Sequence, residues 1–410
     1  MTSEFDNSKL QNKIILGWLM IERIAKQTLL RLAQQFPVVA VTGPRQSGKS
    51  TLVQETFPDK RYVTMDDSSA RELASSSPRD FLRAFKDGVI IDEVQKVPEL
   101  FDALKLIVDK DEYTPGKYIL TGSSQFKLKK NIKESLSGRI GIVNLLPLSI
   151  AELNLHGNLS DDAYDYAFNG FYTPFYDDKK HYVREDWFEN YIDTYIERDV
   201  AEEIRLSNLS QFKKFIQFCA IYSGQMLNME SISREIGVSA NTIKSWLSIL
   251  ENSFIIHLLE PDTNNLGRSI VKTPKLYFVD VGLLCYLLRI DSKEELLLSR
   301  YKGAVIETMA VSELLKLRFN KGRKAELTYF RDSNGFEVDV IADWHKTYAL
   351  EVKSDSETEK KLSSNVRKYI ELRETEIKGY VYYLGDITCE INNIKYVSWK
   401  DWGNNEDSIK

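Results

Sequence analysis

Short apolar runs alternate with helical patterns between residues 37 and 155. The runs are VVAVTG (38–43), RYVTM (61–65), GVIIDE (88–93), KYILTG (117–122) and GIVNLLP (141–147). Nearly continuous apolar strands that alternate with helices are typical of a parallel sheet covered on both faces. The pattern predicts an α/β domain over residues 1–155, preceded by short amphipathic N-terminal helices.

The pattern changes after this domain. Residues 156–185 are rich in Gly, Asp, Asn and aromatic residues and predict a loop or lid, and helical periodicity resumes at 187–204. We therefore expect a lid or linker region with helices over 156–205. Three helical patterns and an extended segment follow between 210 and 260, which predicts a winged helix-turn-helix over 206–274. The last part, 275–410, mixes strands and helices in a third α/β domain.

Composition bears on three properties of the protein: nucleic-acid binding, redox compartment and membrane insertion. The 410 residues carry a net charge of −5, so binding to nucleic acid would require a local basic surface. The three cysteines are widely spaced and odd in number. This argues against a disulfide framework and indicates a protein of a reducing compartment. The apolar run IILGWLMI is too short to span a bilayer and makes a poor signal peptide. We expect a cytoplasmic protein without a membrane segment.

A glycine-rich phosphate-binding motif joins the first predicted strand to a helix. It comprises Gly43, Pro44, Arg45, Gln46, Ser47, Gly48, Lys49 and Ser50, with Thr51 next in the helix. The glycines permit a loop whose backbone N–H groups turn toward phosphates, and the helix adds its positive end. Lys49 is expected to contact the β- and γ-phosphates of ATP, and Ser50 to bind Mg²⁺.

Two acids end the strand GVIIDE. Ligands of open α/β sheets gather at the carboxyl ends of the strands. Asp92 is therefore expected to complete the Mg²⁺ shell, and Glu93 to polarise the attacking water. Together with the phosphate loop, the pair predicts ATP hydrolysis.

The segment FEVDVIADWHKTYALEVKS (336–354) predicts a charged β-hairpin. A turn at His345 would place Asp339 opposite Glu351, with Lys353 on the same face. Adjacent carboxylates repel unless a cation or proton lies between them, and they suit Mg²⁺ or Mn²⁺. Glu307, on a small apolar helix stripe, is a third candidate ligand, and Lys353 a candidate catalytic lysine. The alternative is a structural hairpin in which Lys353 satisfies Glu307.

The predicted helix-turn-helix offers a surface for DNA. Thr242, Lys244 and Ser245 are expected to be exposed on its second helix, where recognition helices meet the major groove. Residues 205–275 contain eight Lys or Arg and five Asp or Glu, a mild excess of positive charge. A winged helix that mediates packing or assembly is therefore an equal alternative.

These motifs together resemble a family of prokaryotic AAA-type ATPases. The matching stretches include GPRQSGKSTL, IIDEVQKVPEL, LTGSSQF, SLSGRI, TYIERDV, KLYFVDVGLL and the hairpin, and they cover nearly the whole chain. The resemblance implies a five-stranded P-loop core, a winged helix and a C-terminal PD-(D/E)xK domain with a restriction-endonuclease-like fold. It also implies ATP and Mg²⁺ as ligands.

The resemblance implies further roles for single residues. The tip of the fourth strand would sense the γ-phosphate through Thr121, Ser123 or Ser124. Arg139 would be an arginine finger that reaches the nucleotide of a neighbour in a homo-oligomer, with Arg198 as a second candidate. Asp280 either serves the C-terminal domain or caps the next helix.

Three functions remain open from the sequence. The first is an ATPase whose nucleotide state controls a nuclease-like module that handles DNA. The second is an ATP-driven switch or scaffold whose C-terminal domain is catalytically inactive. The third is a DNA-binding regulator that acts through the winged helix.

Overall fold

Two β-sheets organise the chain. The computed structural model describes residues 21–110, 114–123, 132–157, 160–177, 179–194, 209–262, 271–358, 360–373 and 376–404. One sheet has five strands and the other has nine. No helix within these residues is long and apolar enough to cross a membrane.

The five-stranded sheet confirms the predicted parallel core. Its strands are β1 (Val38–Thr42), β2 (Arg61–Thr64), β3 (Val89–Asp92), β4 (Tyr118–Gly122) and β5 (Ile140–Asn144). They lie in the order β2-β3-β4-β1-β5, and every neighbouring pair is parallel. The central strands are fully buried because apolar clusters cover both faces of the sheet. The carboxyl ends of all five strands therefore meet at one edge.

Helices accompany this sheet as the pattern predicted. They are α1 (Ala25–Ala33), α2 (Lys49–Thr56), α3 (Ser68–Ser76), α4 (Pro78–Arg83) and α5 (Glu99–Lys110), with a 3₁₀ turn at Val94–Lys96 and a π-turn at Ile132–Leu136. The helix α2 begins directly after the phosphate loop. This places its amino end at the functional edge of the sheet.

The expectation of a loop over residues 156–185 is wrong. After α6 (Ile150–His156), this region forms α7 (Ala163–Asn169) and a 3₁₀ helix at Thr173–Tyr176, and α8 (Arg184–Tyr191) follows. Tyr166, Phe171 and Tyr172 are buried in the largest apolar cluster of the molecule. The aromatic residues that interrupt the polar sequence thus provide enough apolar area to fix the segment.

The next region contains the three predicted helices. They are α9 (Leu209–Ile221), α10 (Met229–Ile236) and α11 (Ala240–Asn252), and the strands are β6 (Gln225–Met226), β7 (Ile256–Pro261) and β8 (Lys275–Phe278). Gly237 ends α10 with a left-handed φ of 78°, and Ser239 caps α11. Because β8 pairs with both β6 and β7, the domain boundary expected after residue 274 falls inside one sheet.

The C-terminal part extends this sheet to nine strands. Its helices are α12 (Val281–Leu287), α13 (Lys293–Leu298), α14 (Lys302–Asn320) and α15 (Ser364–Glu371), with 3₁₀ turns at Lys360–Ser363 and Trp399–Asp401. Its strands are β9 (Leu327–Arg331), β10 (Glu337–Asp343), β11 (Thr347–Lys353), β12 (Ile377–Tyr383), β13 (Cys389–Ile391) and β14 (Ile394–Ser398). The order is β13-β14-β12-β11-β10-β9-β7-β8-β6, and β7 joins β9 in parallel.

One apolar core connects regions that the sequence separates. The largest cluster contains residues from Leu146, at the end of the first domain, to Trp402. It includes α9 and α11 of the helical region and α14 of the C-terminal part. The three C-terminal regions are therefore packed as one body rather than joined by free linkers.

Candidate functional site

The phosphate loop runs from β1 to α2 and depends on its two glycines. A Cβ atom on Gly43 would lie 2.0 Å from the carbonyl oxygen of Leu145, so no other residue fits there. Gly48 has a left-handed φ of 88° at the start of α2. Between them, the Ser47 hydroxyl donates a hydrogen bond to the Pro44 carbonyl over 2.9 Å. These contacts close the loop around the amino end of the helix, while the side chains of Arg45 and Gln46 stay exposed.

Lys49 lies buried at the centre of this loop. Its Nζ donates to the carbonyl oxygens of Gly43, over 3.0 Å, and Pro44, over 2.8 Å. Burial lowers the pKa of Lys49 to about 8, against the opposing effect of the Glu93 and Asp92 carboxylates. Thr51, two positions further along α2, is exposed.

Asp92 joins four elements at the edge of the sheet. The Ser50 hydroxyl donates to its two carboxylate oxygens over 3.2 and 3.1 Å, and the hydroxyls of Thr121 and Tyr62 also donate to it. Burial and the hydrogen bond to Asp92 raise the pKa of Tyr62. A hydroxyl and a carboxylate in contact beside a phosphate loop are a donor set that suits Mg²⁺.

Glu93 is held in an uncommon backbone conformation. Its φ of 52° lies in the left-handed region, which is rare for a residue with a side chain. The Gln95 amide and the Ser123 hydroxyl, at 3.1 Å for the latter, both donate to one Glu93 oxygen. Of the three sensor candidates, Ser123 thus contacts Glu93, Thr121 contacts Asp92, and Ser124 lies outside the described residues.

Two residues that no sequence motif predicted hold the phosphate loop in place. Arg23 is 6% exposed, pairs with Glu152 over 3.0 Å and donates to the carbonyls of Ser47 and Leu146 over 2.6 and 2.8 Å. The Thr173 hydroxyl donates to the Gln46 carbonyl over 2.8 Å. Arg23 and Glu152 are 129 residues apart along the chain, and Thr173 and Gln46 are 127 residues apart. Neither Arg23 nor Thr173 belongs to a motif.

Arg139 lies at the opposite edge of the sheet. It directly precedes β5, whose far end, Asn144, is in register with Thr42 beside the phosphate loop. The five residues of β5, Ile140–Asn144, separate the two edges by four steps, or about 13 Å. Arg139 instead pairs with Asp109 through contacts of 2.5 and 3.0 Å, which lower the pKa of that carboxyl. Arg198 lies outside the described residues.

The predicted register of the C-terminal hairpin is confirmed along its tip. Val340 pairs with Leu350, and Asp343 with Thr347, as a turn at His345 requires. Next to these pairs, a carboxylate oxygen of Asp339 accepts the Val352 N–H over 2.8 Å. Glu351 pairs with Lys353 over 2.7 Å, so these three side chains are neighbours.

A lysine outside the hairpin completes this charge cluster. The Nζ of Lys275 lies 3.1 Å from a carboxylate oxygen of Glu307 and also pairs with Glu337. The Tyr277 hydroxyl donates to the same Glu307 oxygen over 2.5 Å. The partner of Glu307 is therefore Lys275 rather than Lys353, contrary to the structural alternative drawn from the sequence.

Burial and like charges shape the electrostatics of this cluster. Burial, and then the Glu307 and Glu351 carboxylates, raise the pKa of Asp339 well above its usual range. Burial also raises the pKa of Glu351, against the effect of Lys353. The buried Oε2 of Glu351 has no hydrogen-bond partner. Within the described ranges, however, no three or more His, Cys, Asp or Glu side chains are placed to hold a metal ion together.

The structure also describes four other residues that the sequence analysis singled out. Lys244 and Ser245 are exposed on α11, and Thr242 is half-buried. Asp280 caps α12 by accepting the Leu283 N–H over 3.0 Å, and it also accepts the Phe171 N–H. Asp280 is thus a helix cap, which decides between the two roles that the sequence left open.

Comparisons with known proteins divide the chain into three matched parts. The sequence model described as an AAA domain matches residues 35–154. Two others, each described as a domain of unknown function, match residues 160–294 and 302–402. The match over residues 160–294 includes both α7 and the helical region that follows it.

Similar proteins include several that are uncharacterized. One from Mycobacterium tuberculosis is 28% identical over 342 residues, which are 82% of this chain and 75% of that protein. Another, from Methanocaldococcus jannaschii, is 22% identical over 400 residues, or 89% of this chain and 83% of that protein. Among solved structures, a Walker-type ATPase of Pyrococcus abyssi aligns with a TM-score of 0.47 and 16% identity, over 66% of this chain and 96% of that one.

The matched AAA domain coincides with the structural core that holds the site. Its range includes all five parallel strands, the phosphate loop and the acid pair. The loop geometry and the sequence match thus lead to the same class of domain. Residues 35–154 are therefore similar to an AAA domain, with a P-loop on a five-stranded parallel sheet.

Proposed function

We propose that this protein binds and hydrolyses ATP with Mg²⁺, and that its nucleotide state controls a nuclease-like C-terminal module that handles DNA. One observation carries the proposal: Lys49, Ser50, Asp92 and Glu93 converge at one edge of the parallel sheet. Each of these residue types has a defined task in phosphoryl transfer to water. The remaining question is which task each residue performs.

The geometry supports a division of labour among these side chains. Backbone N–H groups of residues 45–51 cradle the phosphates, and Lys49 neutralises their charge. Ser50 and Asp92 would hold Mg²⁺, which supplies charge neutralisation when bound. Glu93 orients the attacking water and accepts its proton. The Ser123 hydroxyl, which contacts Glu93, is suited to position that carboxylate.

The distance between Arg139 and its own phosphate loop supports a role between subunits. An arginine at the far edge of the sheet cannot reach its own nucleotide, whereas it can reach that of a neighbour in a homo-oligomer. Its exposed ion pair with Asp109 is weak enough to exchange for a phosphate contact. The same pair holds the guanidinium away from its own site.

Contacts between the loop and the rest of the chain support control by nucleotide. Arg23 joins the loop to Glu152 on α6, and the first residue of α6, Ile150, donates its N–H to Glu313 on α14 over 3.0 Å. The same helix carries Glu307 of the C-terminal charge cluster. A shift of the phosphate loop would therefore be transmitted through buried polar contacts to the hairpin.

Two features support a DNA-handling C-terminal part. The order helix, strand, two helices, two strands between Leu209 and Phe278 is that of a winged helix-turn-helix, with Lys244 and Ser245 on its exposed second helix. On the hairpin, Asp339, Glu351 and Lys353 have the residue types of a PD-(D/E)xK nuclease. Asp339 and Glu351 would bind Mg²⁺ or Mn²⁺, for which the unpartnered Glu351 oxygen leaves a ligand position.

A second candidate is an ATP-driven switch whose C-terminal domain does not cleave. The ion pairs of Lys275 with Glu307 and Glu337 favour it, because they already compensate part of the acidic charge. In that case the cluster stabilises the fold. The two candidates share the ATPase and differ only in what the hairpin does.

ATP turnover measured with and without DNA tests the proposal. We expect duplex or single-stranded DNA to stimulate turnover, and the stimulation to fall as salt rises because phosphate contacts release counterions. Lys244→Ala should reduce the stimulation, whereas Lys110→Ala, an exposed lysine on α5, should not. Lys49→Ala controls for contaminating ATPases. Intact turnover that no form of DNA changes would argue against DNA handling and leave the ATPase in place.

A further inference from the structure

A lysine of the chain occupies the acidic cluster of the C-terminal part. We define the acidic cluster as Glu307, Glu337, Asp339 and Glu351. Lys275 is only 3% exposed, and its ammonium lies between Glu307 on α14 and Glu337 on β10. The Tyr277 hydroxyl, two residues further along β8, reinforces the contact with Glu307. The strand β8 thus supplies the cluster with both a cation and a hydrogen-bond donor.

Two more cations pair with the acidic cluster in the described part of the chain. Lys353 pairs with Glu351 over 2.7 Å, and Arg331 pairs with Glu337 over 2.5 Å. Among the residues that the structure describes, Lys275 is the cation that forms an ion pair with Glu307. A divalent cation bound to Glu307 and Asp339 would have to approach the same carboxylates as the ammonium. The ammonium already occupies a Glu307 oxygen that such an ion would need, and repulsion between two cations a few ångströms apart in a buried site weakens metal binding there.

We propose that Lys275 is an internal cation that excludes divalent metal from the acidic cluster, so that metal binds only when β8 moves away. This inference rests on the proposed metal site at Asp339 and Glu351 and adds its regulation. The ligand is a hard divalent cation such as Mg²⁺ or Mn²⁺, which prefers carboxylate oxygens.

The position of β8 connects the exclusion of metal to the helical region that contains α10 and α11. The strand pairs with β6 and β7, which flank the two helices α10 and α11. A partner bound to α11 that shifts this sheet would withdraw Lys275 from Glu307. Metal loading of the C-terminal part would then follow engagement of the helical region.

Mn²⁺ binding to the full chain tests the inference. Isothermal titration calorimetry with Mn²⁺ is performed in a buffer without chelator on Asp92→Asn protein, which lacks the carboxylate ligand of the ATP site. On this background Lys275→Gln keeps a hydrogen-bond donor but loses the charge, and we expect Mn²⁺ affinity to rise about tenfold or more. Adding Asp339→Asn to Lys275→Gln should abolish the gain. Lys316→Gln is the matched control, because Lys316 is 1% exposed and pairs with Glu313 on α14, outside the cluster.

The outcomes separate this inference from the proposed function. Equal Mn²⁺ affinity with Lys275 and with Gln at that position, when both bind, overturns the exclusion and leaves the metal site. No binding by either protein overturns both. If Lys275→Gln weakens the fold, its melting temperature is the readout: Mn²⁺ should raise it, and should not raise that of Lys316→Gln. A Lys275→Gln melting temperature that does not respond to Mn²⁺ also contradicts the inference.

Discussion

At the scale of single residues, burial of the His257 imidazole on β7 makes stability sensitive to acid. Burial disfavours the charged ring and lowers the pKa of His257 from 6.5 to about 4. The unfolded chain therefore binds a proton between these values that the folded chain does not. Stability is complete above the unfolded pKa and is lost as the pH falls from 6.5 toward 4.

We expect His257→Asn to remove most of this acid sensitivity. Between pH 7 and pH 5, the wild type should lose about 2 kcal/mol more free energy of unfolding than the variant. Urea unfolding at the two pH values measures the difference. His181→Asn, at an exposed position, is the control. The same loss in wild type and His257→Asn would show that His257 does not cause the effect.

Residues whose chemistry is local were predictable from the sequence. The phosphate loop and the acid pair were identified from spacing alone, since neighbouring backbone geometry determines their placement. Lys275, Tyr62 and Arg23 were not identified, because their partners lie 32, 30 and 129 residues away and no motif links them. Such contacts depend on how distant elements pack against each other, and the spacing of residues along the chain does not predict that packing.

At the scale of elements, apolar periodicity predicted helices and strands correctly where burial of one face or of both faces determined the pattern. The five parallel strands and the three helices of residues 210–252 lie where apolar repeats placed them. The hairpin register followed from the turn position, because a slip by one residue would exchange the buried and exposed faces.

Polar segments with scattered aromatic residues were harder to interpret. Residues 156–185 have no regular repeat, yet α7 and the turn after it are fixed by Tyr166 and Phe171 against Asp280 and the neighbouring α12. The domain boundary at 274 was placed where three helical patterns and an extended segment give way to mixed strands and helices. It missed the hydrogen bonds that join β8 to β6 and β7.

At the scale of the whole molecule, the separation of Arg139 from its own phosphate loop predicts sharing of sites between subunits. Arg139→Ala protein and Glu93→Gln protein should each be inactive alone, and their mixture should regain part of the ATP turnover. A mixed interface would combine one intact acid with one intact arginine. Size-exclusion chromatography establishes that the two proteins co-assemble. Failure to recover turnover at any ratio, despite co-assembly, would contradict a finger that acts between subunits.

In the proposed mechanism, Glu93 activates water for hydrolysis of the ATP that the phosphate loop and Asp92 hold. The most direct measurement is single-turnover hydrolysis of ATP by Glu93→Gln, with nucleotide affinity measured in the same preparation. Ser50, Asp92 and Lys49 are unchanged in this variant, so ATP should bind with nearly wild-type affinity. Loss of the general base should slow hydrolysis by about 100-fold or more. Hydrolysis at the wild-type rate with ATP fully bound would contradict the role of Glu93 as the general base of this site.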